Sequence, residues 1–339
     1  MTERPPIEAI RLLNGFRAFQ LVVAACKLGL ADLVAAGHAD PATLAAMTGT
    51  HEPSMRRMLR GLAAWGFFVE DANGRYASTS ISECFRSDRQ GLRNMALMLT
   101  NEAYPVWADL LYTLQTGRPA FEHLYGKSRW EQMAEDPDEA ALFNAAMVET
   151  SARVGAAFVG AYDFDGVHTV VDVAGGNGAL LASVLAHLPE AEGVLFDLPA
   201  GLAGVAERFR AAGLDRRVRV VEGSFFESVP TSGDLYLLKS IVHDWDDERA
   251  TAILVSCRQA MKESARLVLV ERFLPERVEA ADAALGAVMS DLHMMLLLGG
   301  RERTTSQYSA LLHDAGLRMT RTITLESEFY AVEATPLRG

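Results

Sequence analysis

The feature that most constrains the fold is an alternation of short apolar runs and helical stretches that begins near residue 167. Apolar runs bounded by charged turns are typical of buried strands, and the longer segments between them have the pattern of helices. The predicted strands are HTVVDVA, GVLFDLP, RVRVVEG, DLYLLKS and RLVLVER. The predicted helices cover 178–188, 200–212, 247–262, 282–298 and 304–315. The alternation predicts an α/β fold with a parallel sheet covered by helices on both faces.

The end of the chain departs from this alternation. The segments MTRTITL and EFYAVEAT both read as strands, and only the dipeptide GluSer separates them. So short a connection joins neighbouring antiparallel strands, because a parallel pair needs a long crossover. We therefore expect the parallel sheet to be closed by an antiparallel hairpin.

The N-terminal part of the chain is predicted to be mainly helical. Apolar residues recur at helical spacing from Ile7 to Leu33, and Asp40 precedes a proline as a helix cap would. A further helix is expected from Pro53 to Trp65, followed by FFVED and RYAST around an AsnGly turn, which predicts a hairpin. Helices followed by a two-stranded wing form a winged-helix pattern.

The segment from 91 to 160 again has helical character and few turn signals. The predicted domains are therefore a winged-helix domain over 1–95, a helical connector over 96–165 whose helices cap the domain that follows, and an α/β domain over 166–339.

Composition argues against several classes of protein. The 339 residues carry 32 lysines and arginines against 44 aspartates and glutamates, a net charge of −12, which disfavours a nucleic-acid backbone as the main partner. With 50% hydrophobic and 22% charged residues, and no run of 18 apolar residues, we expect a globular protein with no membrane partner. No secretory signal is visible and the 3 cysteines lie far apart, so we expect reduced thiols and a cytoplasmic location.

A glycine-rich turn follows the first predicted strand of the alternating region. The segment VVDVAGGNGALL places Gly175, Gly176 and Gly178 where the strand meets its helix. Glycines there let the backbone approach a ligand, and the helix N-terminus offers free N–H groups. Asp197 lies 19 residues after Gly178, at the end of the second strand, where a carboxylate can accept both ribose hydroxyls of a nucleoside.

Two cofactors are compatible with this turn. A dinucleotide fingerprint would need its third glycine at position 181, which is Leu181. A nucleoside cofactor without a pyrophosphate, such as S-adenosylmethionine, does not need that glycine. A tight turn that binds no ligand is the remaining interpretation.

A second motif, LLKSIVHDWDDE, follows the fourth predicted strand. Ligands of open α/β sheets lie beyond the carboxyl ends of the strands, so His243 is expected near the cofactor. Its imidazole suits proton transfer at neutral pH if a carboxylate fixes the tautomer. Glu271, in LVER, and Glu302, in GGRERT, are candidates for that carboxylate. A helix-capping or solvated histidine is the alternative interpretation.

A metal site is a further alternative. His293 lies on the predicted helix ahead of GGRERT, where a histidine more often lines a core or a pocket. Together with His243 and Asp244 it would complete a set of two histidines and one carboxylate, which suits a transition metal. We expect no metal and keep this set as the alternative.

Together these motifs resemble the class I S-adenosylmethionine-dependent O-methyltransferases that act on small aromatic hydroxyls, especially the bacterial antibiotic-tailoring and plant caffeate and flavonoid enzymes. The resemblance covers nearly the whole chain and is most specific in LLKSIVHDWDDE, LVLVERFLP and GGRERT. It implies a Rossmann-like methyltransferase sheet with a C-terminal antiparallel hairpin, preceded by an all-helical winged-helix dimerisation domain. It also implies a homodimer and a role in secondary metabolism.

The resemblance also assigns roles to individual residues. His243 matches the general base that removes the proton of a phenolic hydroxyl as methyl is transferred from S-adenosylmethionine, and Glu271 and Glu302 match the glutamates that hold it. The implied cofactor-binding residues are Gly175, Gly176, Gly178, Asp197, Leu198, Ser224, Phe225, Lys239 and Ser240. The residues implied to bind a small aromatic acceptor are Asn101, Phe143, Met147, Asp244, His293 and Met294.

The sequence departs from the family pattern at three positions. Ala174 replaces the first glycine of the loop, and Ser224 replaces the acid usual beside the adenine. His293 stands where plant relatives carry an apolar residue. The third difference leaves the identity of the acceptor open.

Other enzyme functions are compatible with the same residues. Methylation of carbon or nitrogen is one, including a metal-dependent C-methyltransferase that acts on an enolisable keto acid through His243, Asp244 and His293. A non-methylating use of the fold, such as cofactor-assisted hydroxylation, is another. O-methylation is favoured because a histidine braced by glutamates is a base suited to a hydroxyl.

A winged-helix, ligand-responsive regulator is an alternative of a different class. Residues 1–95 hold 11 basic and 9 acidic side chains, and the candidate recognition helix carries Arg56, Arg57 and Arg60. This balance is only mildly basic, so a winged helix that pairs subunits is the better explanation.

Overall fold

The computed structural model describes residues 6–279, 282–325 and 329–337. The chain divides into two compact units, Met1–Tyr104 and Pro105–Gly339. The three-part division at 95 and 165 stays a prediction.

The first unit is helical apart from one small sheet. Its described helices are α1 (Ile7–Lys27), α2 (Leu30–Ala35), α3 (Pro41–Thr48), α4 (Glu52–Ala64), α5 (Ser80–Glu83) and α6 (Arg93–Met98), followed by a π-helix at Leu99–Ala103. Strands β1 (Phe68–Glu70) and β2 (Tyr76–Ser78) pair antiparallel, as predicted for the wing. The unit is therefore not all-helical, because the AsnGly turn lets its two flanking segments pair.

Local signals explain the boundaries in this unit. The predicted helical stretch from Ile7 to Leu33 is divided, because Gly29 adopts a left-handed conformation with φ of 64°. The Asp40 carboxylate accepts the N–H of Thr43 at 3.0 Å, and this cap starts α3 as expected. The core of the unit is formed by buried side chains that include Leu44, Leu59 and Phe67.

One described helix, α1, is long and apolar enough to cross a membrane by length and composition alone. Only 17% of its most apolar window is buried. Length and composition alone do not assign α1 to a membrane, since helices that form dimers can be equally long and apolar.

The second unit begins with a run of helices and continues as a mixed α/β structure. The described helices are α7 (Tyr104–Ala108), which crosses the boundary between the units, α8 (Leu110–Thr116), α9 (Ala120–Tyr125), α10 (Arg129–Glu135), α11 (Pro137–Ala161), α12 (Ala179–His187), α13 (Val205–Ala211), α14 (Asp247–Ala260), α15 (Asp282–Leu297) and α16 (Thr305–Asp314). The described strands are β3 (Thr169–Val173), β4 (Glu192–Asp197), β5 (Val218–Glu222), β6 (Leu235–Lys239), β7 (Arg266–Arg272), β8 (Leu317–Thr324) and β9 (Phe329–Pro336).

These strands form one sheet in the order β5-β4-β3-β6-β7-β9-β8. Strands β3 to β7 are parallel, whereas β9 pairs antiparallel with both β7 and β8. The predicted parallel sheet and its closing antiparallel strands are confirmed. The predicted turn over Glu326 and Ser327 lies outside the described residues.

Helices cover both faces of the sheet. Because successive side chains of a strand point to opposite faces, Leu267 and Leu269 pack with α14 and α16, while Val268 and Val270 pack with α11 and α12. The carboxyl ends of the parallel strands therefore meet at one edge of the sheet, which is where the predicted cofactor-binding residues and His243 lie.

One predicted helix is shorter than expected. The prediction of 200–212 is too long, since α13 starts at Val205 after Gly204, which has φ of 74°. The preceding residues instead turn closely around Asp197: a side chain on Gly201 would lie 2.7 Å from its carboxyl carbon. This turn brings the end of β4 back towards the glycine loop.

Candidate active site

The loop after β3 combines unusual backbone angles with close packing at Gly175 and Gly178. Ala174, Gly176 and Gly178 all have positive φ, of 54°, 55° and 72°. A Cβ on Gly175 would lie 2.5 Å from the Asp172 carboxyl carbon and 2.6 Å from a methyl of Leu195. The loop thus folds tightly onto the sheet and exposes backbone at the start of α12, a geometry suited to contacting a ligand with main-chain atoms.

Asp197 at the end of β4 fastens this loop to its neighbouring strand. One carboxylate oxygen accepts the N–H of Gly176 at 2.7 Å, and the other accepts the N–H of Leu198 at 2.6 Å. Burial raises the pKa of Asp197, although these two hydrogen bonds act to lower it. The structure therefore brings the predicted acid, the loop glycines and Leu198 together.

A second acid, Asp172, lies under the same loop and was missed in the sequence analysis. It is 1% exposed, and its Oδ2 has no hydrogen-bond partner among the described residues. Burial raises its pKa to about 7, although the charge of Lys239 opposes that shift. A lone acid inside the apolar run VVDVA was the signal available in the sequence. A buried carboxyl oxygen without a partner suits a ligand that brings a cation or N–H donor.

The remaining predicted cofactor residues follow β5 and β6 at the same edge. Ser224 accepts the N–H of Phe226 at 3.2 Å, and the Phe225 ring meets Trp245 edge to face at 6.1 Å between centroids. Ser240 has φ of 54°, and burial lowers the pKa of Lys239 beside it. Parallel pairing of β3, β4, β5 and β6 explains why segments far apart in sequence converge here.

His243 lies in a short 3-10 helix just beyond β6 and is buried. Its Nδ1 is 2.8 Å from Oε1 of Glu302 and 3.8 Å from Oε2 of Glu271. Its Nε2 is 3.4 Å from Oδ1 of Asp244. The predicted histidine and its two glutamates are therefore assembled, and a third carboxylate adjoins the other ring nitrogen.

These carboxylates control the protonation of the ring. Burial opposes the charged ring, but Glu302, Glu271 and Asp244 outweigh it and raise the pKa of His243 to about 10. Burial raises the pKa of Glu271 to about 7 and that of Asp244 to about 6. For Glu302, burial is overcome by His243 and by hydrogen bonds, so its pKa is lowered. The cluster thus gives the ring a high affinity for a second proton, which the ionised Glu302 beside it stabilises.

Each glutamate is itself fixed. Oε1 of Glu271 accepts the N–H groups of Ile241 and Val242 at 3.0 and 2.9 Å, which ties the end of β7 to the chain before His243. Ser290 donates to Oε1 of Glu302 at 2.6 Å. With both partners held by other groups, the imidazole has little freedom to rotate.

Arg303 holds the segment that carries His243, a role that the sequence analysis missed. Its guanidinium, 1% exposed, donates to the carbonyls of Val242 and Trp245 at 3.0 and 2.8 Å. Asp247 accepts from the same side chain at 2.8 Å. The run GGRERT was recognised for its glutamate, but its second arginine was an available signal.

The predicted acceptor-binding residues lie in several elements. Phe143 and Met147 belong to α11, and His293 and Met294 belong to α15. Asn101 lies in the π-helix of the first unit. The guanidinium of the buried Arg129 stacks 4.5 Å from the Phe143 ring centre. The assignment of these residues to acceptor binding stays a prediction.

One group of potential metal ligands is present among the described residues, and it is His243, Glu271 and Glu302, with ligand atoms within 4.8 Å of one another. The 2.8 Å contact between Nδ1 and Oε1 is a hydrogen-bond distance, shorter than the roughly 3.3 Å that separates two ligands of a tetrahedral ion at about 2.0 Å. Hydrogen bonding therefore accounts for this cluster. The set of His243, Asp244 and His293 stays an alternative hypothesis.

Comparison with known families decides the class of the protein. The sequence model of the O-methyltransferase domain matches residues 107–318, and that of the O-methyltransferase dimerisation domain matches residues 10–88. The chain belongs to the O-methyltransferase family. The predicted family, the Rossmann-like sheet and the N-terminal dimerisation domain are thereby confirmed.

Relatives of this O-methyltransferase span nearly its whole length. It is 38% identical to a phenazine O-methyltransferase of Lysobacter antibioticus, over 97% of this chain and 95% of that protein. It is 37% identical to a 3-amino-4-hydroxybenzoate 4-O-methyltransferase of Streptomyces cremeus, over 96% of this chain and 89% of that protein.

A solved structure shows the family cofactor. An O-methyltransferase from neocarzinostatin biosynthesis, in complex with S-adenosylmethionine and 2-hydroxy-5-methyl naphthoic acid, superposes with a TM-score of 0.81 at 32% identity, covering 94% of this chain and 96% of that one. This O-methyltransferase is therefore an S-adenosylmethionine-dependent enzyme. Its glycine loop and the unpartnered Asp172 oxygen fit a cofactor that carries both a sulfonium and an ammonium group.

Proposed function

We propose that the protein methylates the phenolic hydroxyl of a small aromatic secondary metabolite, with His243 as the general base. The observation that carries the proposal is the buried hydrogen bond of 2.8 Å between His243 Nδ1 and Glu302 Oε1. We propose that Nδ1–H donates to Glu302, which leaves Nε2 as the atom that accepts a proton from the acceptor. Relatives named for hydroxylated aromatic substrates support this class of acceptor.

The raised pKa of His243 suits this task. A phenol has a pKa of about 10, so transfer of its proton to an ordinary imidazole with a pKa of about 6.5 would be uphill by roughly 5 kcal/mol. With the pKa of His243 raised to about 10, the transfer is nearly balanced. Neutral histidine with the phenol and imidazolium with the phenoxide contain the same protons: the shared proton is on the phenol oxygen in the first pair and on Nε2 in the second.

Bound S-adenosylmethionine supplies an electrophilic methyl group, so the chain has to hold and align its reactants. We propose that the cofactor is held by Gly175, Gly176, Gly178, Asp197, Leu198, Ser224, Phe225, Lys239 and Ser240. Asp197 would accept hydrogen bonds from the ribose hydroxyls, and the ionised Asp172 would attract the ammonium group. The hydroxyl of Ser224 would take the place of the acid usual beside the adenine.

We further propose that the protein acts as a homodimer in the cytoplasm, in the tailoring of a secondary metabolite. The match to a dimerisation domain supports the homodimer. The net charge of −12 supports small molecules rather than nucleic acid as partners.

The test replaces His243 with alanine. We expect turnover of a phenolic acceptor to fall by roughly 100-fold to 10,000-fold, because the proton acceptor is lost. Calorimetry with S-adenosylmethionine should show nearly unchanged affinity, with NADH as the ligand that does not bind. Near-normal turnover by His243→Ala would refute the role of the base, and absence of cofactor binding by the unmodified protein would refute the proposed cofactor site.

Carbon methylation with a metal is tested on the same protein. The proposal requires full activity after treatment with a chelator, since no step of it uses an ion. Loss of activity that Fe²⁺ restores and Mg²⁺ does not would favour the keto-acid alternative.

A further inference from the structure

His293 lies one helical turn from a residue that holds the carboxylate partner of the base. Ser290, three residues earlier on α15, donates to Glu302 at 2.6 Å, and Glu302 in turn contacts His243. Residues three apart on a helix share a face, so His293 lies one turn further along the side of α15 that faces the base. The catalytic scheme above uses no atom of His293.

Trp107 fixes the tautomer of this histidine. The indole Nε1–H donates to Nδ1 of His293 at 3.2 Å, and the two rings lie nearly parallel, at 17°. An indole nitrogen can only donate, so Nδ1 must be the unprotonated nitrogen. Burial, reinforced by Arg129 and His243, lowers the pKa of His293 to about 4 and keeps the ring neutral. The one remaining ring proton is therefore on Nε2.

This proton is available to a ligand. Within the part of the chain that the structure describes, the only hydrogen bond of the His293 ring is the one at Nδ1. A fixed N–H donor in a largely buried position favours a ligand that presents an oxygen to it and disfavours one that does not. The positive charge of Arg129, which acts on both His293 and Asp244, further favours an oxygen that carries negative charge.

We propose that His293 selects aromatic acceptors that carry a second oxygen, a carbonyl or a carboxylate, beside the hydroxyl to be methylated, by donating its Nε2–H to that oxygen. The inference rests on the proposed function, because the reacting hydroxyl is placed by His243. It makes His293 a specificity-determining residue, and Trp107 the positioning residue that sets its tautomer.

The test compares three probes that differ only at the neighbouring carbon: 1-naphthol, 2-acetyl-1-naphthol and 1-hydroxy-2-naphthoate. The readout is the ratio of kcat/KM for each oxygen-bearing probe to that for 1-naphthol. We expect His293→Phe, which keeps an aromatic ring but has no donor, to lower both ratios by roughly tenfold. The intrinsic reactivity of each probe cancels when variant and parent are compared.

Trp107→Phe provides a second variant in case His293→Phe does not fold. Without the indole donor, the ring proton of His293 can move from Nε2 to Nδ1. Both ratios should therefore fall, by a smaller factor than in His293→Phe. A larger loss in the naphthoate ratio identifies a carboxylate as the preferred oxygen, and a larger loss in the acetyl ratio identifies a carbonyl.

His313→Phe, at a histidine whose side chain is 75% exposed, is the matched control and should leave both ratios unchanged.

Ratios that are the same in the parent and in both variants would overturn the inference. Its failure is distinguishable from failure of the proposed function. If the parent methylates none of the probes, their dissociation constants with S-adenosylhomocysteine present are measured by calorimetry. A preference for the oxygen-bearing probes that His293→Phe abolishes supports the donor role, and the lack of any such preference contradicts it.

Discussion

His243 owes its high proton affinity to carboxylates at different distances. Glu302 makes a direct hydrogen bond of 2.8 Å to Nδ1, whereas the nearest oxygen of Glu271 is 3.8 Å from the same atom. Both charges favour the imidazolium, and the closer one acts more strongly because attraction falls with distance. The two glutamates are therefore expected to contribute unequally to catalysis.

Replacing Glu302 with glutamine tests this inequality. Its carboxylate raises the pKa of His243, so its loss lowers that pKa and moves the acid limb of the kcat profile to lower pH. The maximal rate should fall by roughly tenfold to a hundredfold, since a weaker base receives the proton. Activity measured from pH 5 to pH 10 gives both quantities.

Glu271→Gln is the matched comparison. It should move the limb in the same direction by a smaller amount, because Glu271 lies farther from the ring and its Oε1 already accepts two backbone N–H groups. A larger shift for Glu271→Gln than for Glu302→Gln would contradict the assignment of Glu302 as the main partner of Nδ1.

At the scale of structural elements, the turn between β3 and α12 contains two adjacent glycines with different constraints. A Cβ on Gly175 would lie 2.5 Å from the Asp172 carboxyl, whereas a Cβ on Gly176 would have no neighbour within 4 Å. The only constraint on a side chain at position 176 is the positive φ of 55°. The first substitution forces the loop away from the sheet, and the second costs about 1–2 kcal/mol of backbone strain.

We therefore expect Gly175→Ala to reduce affinity for S-adenosylmethionine by roughly a hundredfold or more, and Gly176→Ala to reduce it by about tenfold or less. Calorimetric titration of both variants measures the difference, and thermal unfolding monitors the fold. Equal losses of affinity would show that the close approach of Gly175 to Asp172 does not matter for binding.

The segment that carries His243 depends on Arg303 in a similar way. Arg303→Met would leave the buried carbonyls of Val242 and Trp245 without donors, at a cost of about 1–3 kcal/mol each. We expect Tm to fall by roughly 5–15 °C and kcat to fall with it. Arg301→Met is the control, because Arg301 is 50% exposed and also pairs with Asp247. A similar Tm for both variants would exclude the bracing role of Arg303.

The elements of the second unit were largely predictable, and the pairings within the site were not. Most of the parallel strands are short apolar runs that alternate with helices, which makes them recognisable. Helix α13, in contrast, starts later than predicted because Gly201 and Gly204 permit a turn that helical spacing does not reveal. His243 and Glu302 are 59 residues apart, so the residues alone offered Glu302 only as one of two candidate partners, with no means of choosing between them. Arg303 was missed because two of its partners are backbone carbonyls, which residue types do not identify, although the arginine itself is visible in GGRERT.

At the scale of the whole molecule, the exposed apolar surface of α1 bears on assembly. Ile7, Leu12, Leu13 and Phe16 are 67%, 83%, 75% and 53% exposed. A soluble monomer seldom presents so many large apolar side chains along one helix, and such a surface is typical of a subunit interface. Most of α1 lies within the match to the dimerisation domain, at residues 10–88. We therefore expect this surface to be covered by a second copy of the chain.

Leu13→Glu tests the expectation. A charge placed in an apolar interface must be desolvated on association, so the variant should sediment as a monomer of about 37 kDa where the parent sediments as a dimer. Leu124→Glu introduces the same charge at a leucine that is 45% exposed in α9, outside the matched domain, and should remain dimeric. Circular dichroism should show the same helix content for both, since neither leucine is buried within the chain. A Leu13→Glu variant that remains dimeric would place the interface on another surface and leave the apolar side of α1 to a different partner.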